Sequence, residues 1–211
     1  MVTRSVALLL RPSKAPNLPI SPKDYESQFH EQFSNALRLY FNQIDNFTTA
    51  LTSTAGGSNL RFPNGAFYDT TTQTAAAINT AYAMKLNSTT VSSEVSVSPS
   101  ANTKIVVGVA GVYNFQFSVQ LDSTTGAAQY IYIWVRVNGS DIPNSASKVA
   151  IQGTAAQSIP SWNFVLPMNA NDSLEFMWAV SDTSVRILAA AAVAPVPAIP
   201  SVIATATFVS A

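Results

Sequence analysis

The sequence predicts an all-β jelly-roll sandwich preceded by an extended N-terminal arm and one α-helix. Two observations predict this fold class. Apolar residues recur every three or four positions, as one face of a helix requires, only in a segment near the N-terminus. The rest of the chain is rich in Thr, Ser, Asn and Val, and its short runs alternate apolar and polar residues between turn residues. About eight to ten strands, with a turn roughly every 8–12 residues, are typical of a two-sheet sandwich.

The same patterns divide the chain into four parts. We expect residues 1–20 to form a proline-rich extended arm and residues 21–57 an amphipathic helix for trimerisation or attachment. Residues 58–90 are expected to form a junction with short strands, and residues 91–211 the jelly-roll knob. As an alternative, the first strands of the knob begin near residue 62.

The predicted helix carries an apolar stripe. Ser21 is the expected N-cap, Pro22 the first helical residue, and Gly56 and Gly57 the residues that end the helix. The stripe residues that we expect at a trimer interface are Phe29, Phe33, Tyr40, Ile44 and Phe47. A helix cannot bury such a stripe by itself, so it packs on the sheet of its own subunit or against copies of itself. We favour copies, because the helix precedes the strands as a separate block.

Two segments alternate as half-buried strands do. In residues 111–121 and 174–180, aromatic and aliphatic side chains fall on one face and mostly polar or small ones on the other. The residues predicted to form the core of the knob are Tyr113, Phe115, Phe117, Phe176 and Trp178. Asn138-Gly139 is the strongest hairpin signal in the chain.

Residues 129–137 differ from the other strands because they are apolar on both faces. Ile131, Ile133 and other β-branched residues form one face, and aromatic residues form the second. We expect Tyr130, Tyr132 and Trp134 to form a trimer interface between knobs. Exposed aromatic rings next to Asn and Gln also suit stacking on sugars, which is the alternative use of this surface.

Composition excludes several classes of protein. Charged residues make up 10% of the chain and the net charge is zero. Without a basic stripe, nucleic-acid binding is not expected. A surface so poor in charge gives little colloidal repulsion and suits a protein covered by neighbours. The chain contains no cysteine, which excludes disulfides, thiolate metal sites and cysteine nucleophiles.

The sequence shows no export signal or membrane span. The apolar stretch at residues 6–10 is shorter than the hydrophobic region of a signal peptide, and no run approaches the roughly 18 apolar residues of a membrane helix. We therefore expect synthesis in the cytoplasm without export and no membrane partner.

No motif in the sequence indicates catalysis. His30 is the single histidine, which is too few for a metal site, and we expect it at the surface or an interface. Asp172, Glu175 and Asp182 flank a strand and a turn, and the two aspartates are expected to stabilise turns. Neither a nucleophile-elbow serine nor a phosphate-binding glycine loop is present. The prediction is a protein that is not an enzyme, with no catalytic residue, no metal and no cofactor.

Several segments resemble known jelly-roll domains. Residues 111–121, the strand at residues 130–137 with Asn138-Gly139, and residues 166–176 look like the tumour-necrosis-factor-like and complement-head domains. Those domains share a Gly-x-Tyr-x-Phe strand, an Asn-Gly hairpin and an Asn-Asp or Gly-Asp turn. The resemblance implies a TNF-like jelly roll that assembles as a homotrimer.

The chain beyond about residue 15 is also similar to small virion proteins of tailed phages infecting cyanobacteria and other marine bacteria. The segments that carry this similarity are 16–22, 37–43, 62–67 and 195–202. It implies a non-enzymatic virion structural protein, either a trimeric capsid decoration (cement) protein or a short head fibre anchored by its N-terminal part. The expected partners are other copies of the chain and other virion proteins, such as the major capsid protein or a tail or portal component.

Two alternatives stay open. One is a receptor-binding tail or fibre tip that recognises a host surface glycan. The other is a polysaccharide-degrading spike, which the small number of acidic residues disfavours. All of these roles place the protein in the virion.

Overall fold

The computed structural model describes residues 14–52 and 62–211. The chain divides into two compact units, residues 1–61 and residues 62–211. In the first unit, residues 14–26 have no regular secondary structure, and helix α1 extends over Ser27–Thr52. No helix in the described residues is both long and apolar enough to cross a membrane.

Helix α1 begins later than the sequence predicted. The Glu26 carbonyl accepts a hydrogen bond from the His30 amide at 3.5 Å, whereas the Ser21 hydroxyl donates to the Pro22 carbonyl at 3.4 Å. Because this hydroxyl is engaged outside the helix, Ser21 does not cap it, and the predicted start at Pro22 was wrong. At the other end, the Thr52 hydroxyl donates to the Thr48 carbonyl at 2.8 Å. The predicted glycine cap lies outside the described residues.

The second unit is built from sixteen strands, counted over residues 62–211. They are β1 (Asn64–Asp69), β2 (Gln73–Thr74), β3 (Tyr82–Ala83), β4 (Ser88–Ser93), β5 (Val95–Val97), β6 (Ile105–Val107), β7 (Gly111–Val119), β8 (Leu121–Ser123), β9 (Gln129–Val137), β10 (Ser140–Asp141), β11 (Ser147–Ile151), β12 (Gln157–Ser158), β13 (Ser161–Met168), β14 (Ser173–Val180), β15 (Val185–Ile187) and β16 (Val202–Ser210). The count exceeds the prediction because strands of two or three residues are too short to show alternation in sequence.

The strands form a jelly roll, which confirms the predicted fold class. A five-stranded sheet has the order β13-β7-β16-β1-β4. A seven-stranded sheet has the order β10-β9-β14-β6-β5, with β11 beside β9 and β3 beside β14. A smaller four-stranded sheet has the order β12-β8-β15-β2. The paired strands named here are antiparallel, as expected when sheets pack face to face around one apolar core.

The core lies between the five-stranded and seven-stranded sheets. The predicted core residues Tyr113, Phe115 and Phe117 on β7, and Phe176 and Trp178 on β14, are between 0% and 3% exposed. The rings of Phe117 and Phe176 have centroids 4.9 Å apart, which joins the two sheets. Burial of each such side chain stabilises the fold by about 1.5–3 kcal/mol.

The sandwich starts near residue 62, as the alternative boundary predicted, and not at residue 91. Strand β1 pairs with both β4 and β16 inside the five-stranded sheet. Phe67 on β1 is 1% exposed, and a Cβ atom at Gly65 would lie 2.4 Å from its ring, so any larger residue at position 65 would have to displace this buried ring. Residues 62–90 therefore belong to the sandwich and do not form a separate junction. Strand β4 was not predicted because it is an edge strand of mostly exposed polar residues and so shows no alternation of apolar and polar residues.

Candidate functional site

The predicted interface residues of the helix share one side of α1. Phe29, Phe33, Tyr40, Ile44 and Phe47 are all half-buried. The rings of Phe29 and Phe33 stack with centroids 6.1 Å apart. Leu39 and Phe41 lie outside this stripe and are 63% and 57% exposed. Within Ser27–Thr52 no residue is fully buried, so a large aromatic surface remains accessible on the helix.

The predicted interface of the knob is a row of aromatic side chains on the outer face of the seven-stranded sheet. Strand β9 directs Ile131, Ile133 and Val135 into the core, and Tyr130, Tyr132 and Trp134 alternate with them and are half-buried. Lys148 on the neighbouring strand β11 lies opposite Tyr132. Its ammonium is 3.7 Å from the ring centroid of Tyr130 and 5.7 Å from that of Tyr132. This geometry is a cation–π contact that covers part of the row.

Trp134 also has a partner in its own subunit. Its indole Nε1 donates to Asp141 Oδ1 at 2.8 Å, and Arg136 Nε donates to the same oxygen at 2.8 Å. The Arg136 guanidinium, followed by the Trp134 indole, holds the pKa of the Asp141 carboxyl below its usual range. The hydrogen bond with Asp141 in turn raises the pKa of Arg136. Sequence reasoning missed Lys148 and Asp141, because they come from strands whose pairing with β9 is not visible in the sequence.

We call this outer face of the seven-stranded sheet the charged face. Its residues are Tyr130, Tyr132, Trp134, Arg136, Asp141, Lys148 and Glu175. Glu175 lies opposite Arg136, is 8% exposed and accepts a hydrogen bond from the Thr103 hydroxyl at 2.6 Å. The charged and aromatic groups of this face therefore bind one another within one subunit. A contact between this row and a second subunit stays a prediction.

The outer face of the five-stranded sheet has a different composition, and we call it the uncharged face. Its central residues are Asn114, Gln116, Ser118, Ser161, Asn163, Val165, Ile203, Thr205 and Thr207. In the five strands, all of them within the described residues, Asp69 is the one charged residue, and it is fully buried. Val165 and Ile203 on this face are 56% and 44% exposed.

A groove of about 450 Å³ opens on the uncharged face where β13, β7 and β16 lie side by side. Its lining includes Gln116, Ser118, Ser161, Asn163, Ile203 and Thr205. The amide of Asn163 donates to Asn114 at 2.9 Å beside it. The sequence did not reveal this groove, because β16 must come from the far end of the chain to lie beside β7.

The two aspartates Asp172 and Asp182 act in turns. Asp172 accepts hydrogen bonds from the Asn138 amide at 2.8 Å and from the Asn169 backbone amide at 2.7 Å, which lower the pKa of its carboxyl. Asp182 accepts one from the Ser184 amide at 2.8 Å, and bonds with Ser184 lower its pKa. His30 contacts the rings of Tyr25 and Phe29. In residues 14–52 and 62–211, no group of three or more His, Asp or Glu side chains could hold a metal ion.

Known proteins add one finding to this geometry. No protein-family model and no curated protein matches the chain. Among solved structures, the chain is similar to the globular domain of the zebrafish complement 1qA protein, with 11% sequence identity and a TM-score of 0.42. The match covers 71% of this chain and 98% of that chain. The jelly-roll fold itself is established by the strand order described above. The similarity to phage virion proteins has no counterpart among these findings and stays a prediction.

Proposed function

We propose that the protein is a non-enzymatic virion structural protein that assembles as a homotrimer. Its role is capsid decoration or that of a short head fibre, anchored to the particle by the N-terminal arm and helix. The observation that carries this proposal is the accessible aromatic stripe of α1, which has no fully buried residue in its described length.

The helix supports assembly because its apolar surface is costly to leave in water. Phe29, Phe33, Tyr40, Ile44 and Phe47 follow one another at spacings of three, four or seven residues and thus form a continuous strip. Burial of apolar surface contributes about 25 cal/mol per Å², so mutual burial of three such strips is favourable. Packing of helices through repeated apolar positions is the usual means by which separate chains associate along their helices.

The charge distribution supports a position among neighbouring copies. The chain has 10% charged residues, and the uncharged face carries none of them at its surface within the described residues. Burial of such a face costs less free energy than burial of a charged face, because no ion has to be desolvated and its amides and hydroxyls need only new hydrogen-bond partners. Other virion proteins, such as the major capsid protein or a tail or portal component, are the proposed partners of the N-terminal part.

The assembly step is tested by light scattering of the full chain. Phe33→Asp combined with Tyr40→Asp places two charges in the stripe and should convert trimers to monomers. The matched control is Asn35→Asp with Asn42→Asp, which adds the same charge outside the stripe and should leave the trimer mass unchanged. A trimer that persists in the stripe variant would show that the helix does not drive assembly.

The role in the particle is tested by the copy number in purified virions. Hundreds of copies per particle, measured by quantitative mass spectrometry, are expected for capsid decoration, and a few dozen for head fibres. Absence from the particle would contradict the proposal.

A receptor-binding tip that recognises a host glycan is the second candidate. The groove on the uncharged face favours it, because amide and hydroxyl side chains such as Gln116, Asn163 and Thr205 can hydrogen-bond sugar hydroxyls. Screening of the full chain on a glycan array tests this role. Binding that is lost in Asn163→Ala would support it, and no binding to any glycan would argue against it.

A further inference from the structure

A second apolar element, which we call the apolar finger, projects between β15 and β16. It comprises residues 190–199, and every side chain in it is Ala, Val, Ile or Pro. The finger is a small hairpin. Ala190 and Ile199 exchange backbone hydrogen bonds of 3.0 and 2.9 Å, and Val193 and Val196 exchange bonds of 3.0 and 2.7 Å. Its backbone is therefore ordered by its own bonds.

The finger is exposed despite its composition. Val193, Val196 and Ile199 are 73%, 53% and 38% exposed, and every residue from 191 to 199 is exposed to solvent. Single exposed apolar side chains are ordinary, but a continuous apolar segment at the surface indicates a contact with another molecule. An element that is already ordered loses little conformational entropy when it docks.

The finger and the groove lie at the same end of the five-stranded sheet. The Gln120 backbone accepts a hydrogen bond from Leu188 at 2.7 Å and donates one to Ser201 at 2.9 Å, so the two ends of the finger flank Gln120. Ser118 and Ile203, which line the groove, are each two residues from these positions. Because its residues are exposed, the described finger does not fill the groove of its own subunit.

We propose that the apolar finger of one copy docks into the groove on the uncharged face of the next copy. Both surfaces lack charged side chains within the described residues, so their contact desolvates no ion. The lining of the groove, about 450 Å³ in volume, includes the apolar side chains Phe117, Trp162 and Ile203. Small apolar side chains such as Val193 and Val196 can pack against this part of the lining. Each copy offers a finger and a groove, which is a head-to-tail contact, and such contacts close into rings when the rotation allows. This inference rests on the proposed homotrimer and identifies the surfaces through which its knobs contact one another.

Cysteine crosslinking of the full chain tests the contact, since the chain has no cysteine of its own. Val196→Cys is combined in turn with Ser118→Cys, Asn163→Cys or Thr205→Cys and treated with a short bismaleimide. At least one pair should give covalent dimers and trimers on a denaturing gel. The matched control, Val196→Cys with Ser140→Cys on the charged side of the sandwich, should stay monomeric on the gel.

A charge variant provides a second readout. Val193→Asp with Val196→Asp should weaken trimer association at least tenfold, measured as the dissociation concentration by analytical ultracentrifugation. Thr89→Asp with Thr90→Asp, at exposed positions of the edge strand β4, is the control and should leave association unchanged.

The outcomes separate this inference from the proposed function. If the unaltered chain is a trimer but the cysteine pairs give no more crosslinks than the control pair, the finger contact is contradicted and the proposed homotrimer is not. Finger charges that leave association unchanged would show that the finger does not contribute to the contact between copies, which also overturns the inference. A monomeric unaltered chain would contradict both proposals.

Discussion

The uncharged face and the charged face cover the same core but have opposite surface chemistry. On the charged face, Arg136, Asp141 and Lys148 engage Trp134 and Tyr130 within one subunit. On the uncharged face, the side chains are amides, hydroxyls and aliphatic groups, and the one charged residue of its strands in the described chain, Asp69, is buried. Each of the two sheets therefore buries its inner face in the core. Their outer faces differ in whether they are better suited to contact solvent or another protein surface.

This difference shows how a sandwich divides its two surfaces between solvent and neighbours. A face with ion pairs is well solvated, and burying it against another subunit would require desolvation of each charge. A face of amides and hydroxyls can exchange water for protein hydrogen bonds at little net cost. We therefore expect the uncharged face to contact other copies and the charged face to remain toward solvent. This expectation is an alternative to the sequence-based prediction that Tyr130, Tyr132 and Trp134 form the subunit interface, and the structure tests neither.

The largest effect is expected from a change in the shared core. Phe176→Ala removes a ring that is 2% exposed and contacts Phe117 across the two sheets. The free energy of unfolding should fall by about 3–5 kcal/mol, measured by urea denaturation. Val165→Ala on the uncharged face is the control and should change it by less than about 0.5 kcal/mol. A small effect at Phe176 would mean that the two sheets do not share one core.

A single added charge distinguishes the two faces directly. Thr205→Asp in the groove should weaken association of the trimer at least a hundredfold, because the charge would be buried in the contact without a partner. Ala150→Asp, at an exposed position opposite Tyr130 on the charged side, should have little effect in the same ultracentrifugation assay. If Ala150→Asp weakened association and Thr205→Asp did not, the row of Tyr130, Tyr132 and Trp134 would be the subunit interface. The charged face, and not the uncharged face, would then contact other copies.

An ion pair in the four-stranded sheet joins one buried and one partly exposed side chain, and its effect can be compared with that of the exposed pair on the charged face. Arg186 and Asp122 are 2.6 Å apart, and the Asp122 side chain is 5% exposed while that of Arg186 is 38% exposed. Asp122→Asn should lower the free energy of unfolding by about 1–3 kcal/mol, because the Arg186 charge loses its buried partner. Thermal or urea denaturation measures the change. If the free energy of unfolding falls by no more than it does when an exposed ion pair is broken, water screens the Asp122–Arg186 pair as well.

The sequence predicts the elements that are decided locally. Alternation of apolar and polar residues identified β7 and β14, and two apolar faces identified β9. The Asn138-Gly139 hairpin is confirmed, with φ angles of 49° and 82° at its two residues. These features depend on neighbours in the chain, where side-chain period and turn geometry act directly. The helix was also predicted, although its start was misplaced because a suitable capping residue, Ser21, bonds to the Pro22 carbonyl instead.

The surfaces could not be predicted in the same way, because they depend on strand order. Thr205 lies beside Gln116, and Asn163 lies on the other side of Gln116, although these residues are far apart in sequence. The partners of the aromatic row, Lys148 and Asp141, likewise come from strands β11 and β10 that pair with β9. Only the assembled sheets show that one face lacks charge and that the other pairs its charges internally.

The smallest effect is expected at the exposed pair of the charged face. The pKa of the Asp141 carboxyl is lowered, so its stabilising contribution is present above its pKa in the unfolded chain and is lost as the pH falls through its lower pKa in the folded protein. The Asp141 side chain is 54% exposed, so Asp141→Asn should lower the free energy of unfolding at pH 7 by less than about 1 kcal/mol. At a pH below the pKa of the carboxyl in both the folded and the unfolded state, the variant and the unaltered protein should be equally stable. Urea denaturation at both pH values measures this, and a difference that persists at low pH would mean that Asp141 acts through packing and not through its charge.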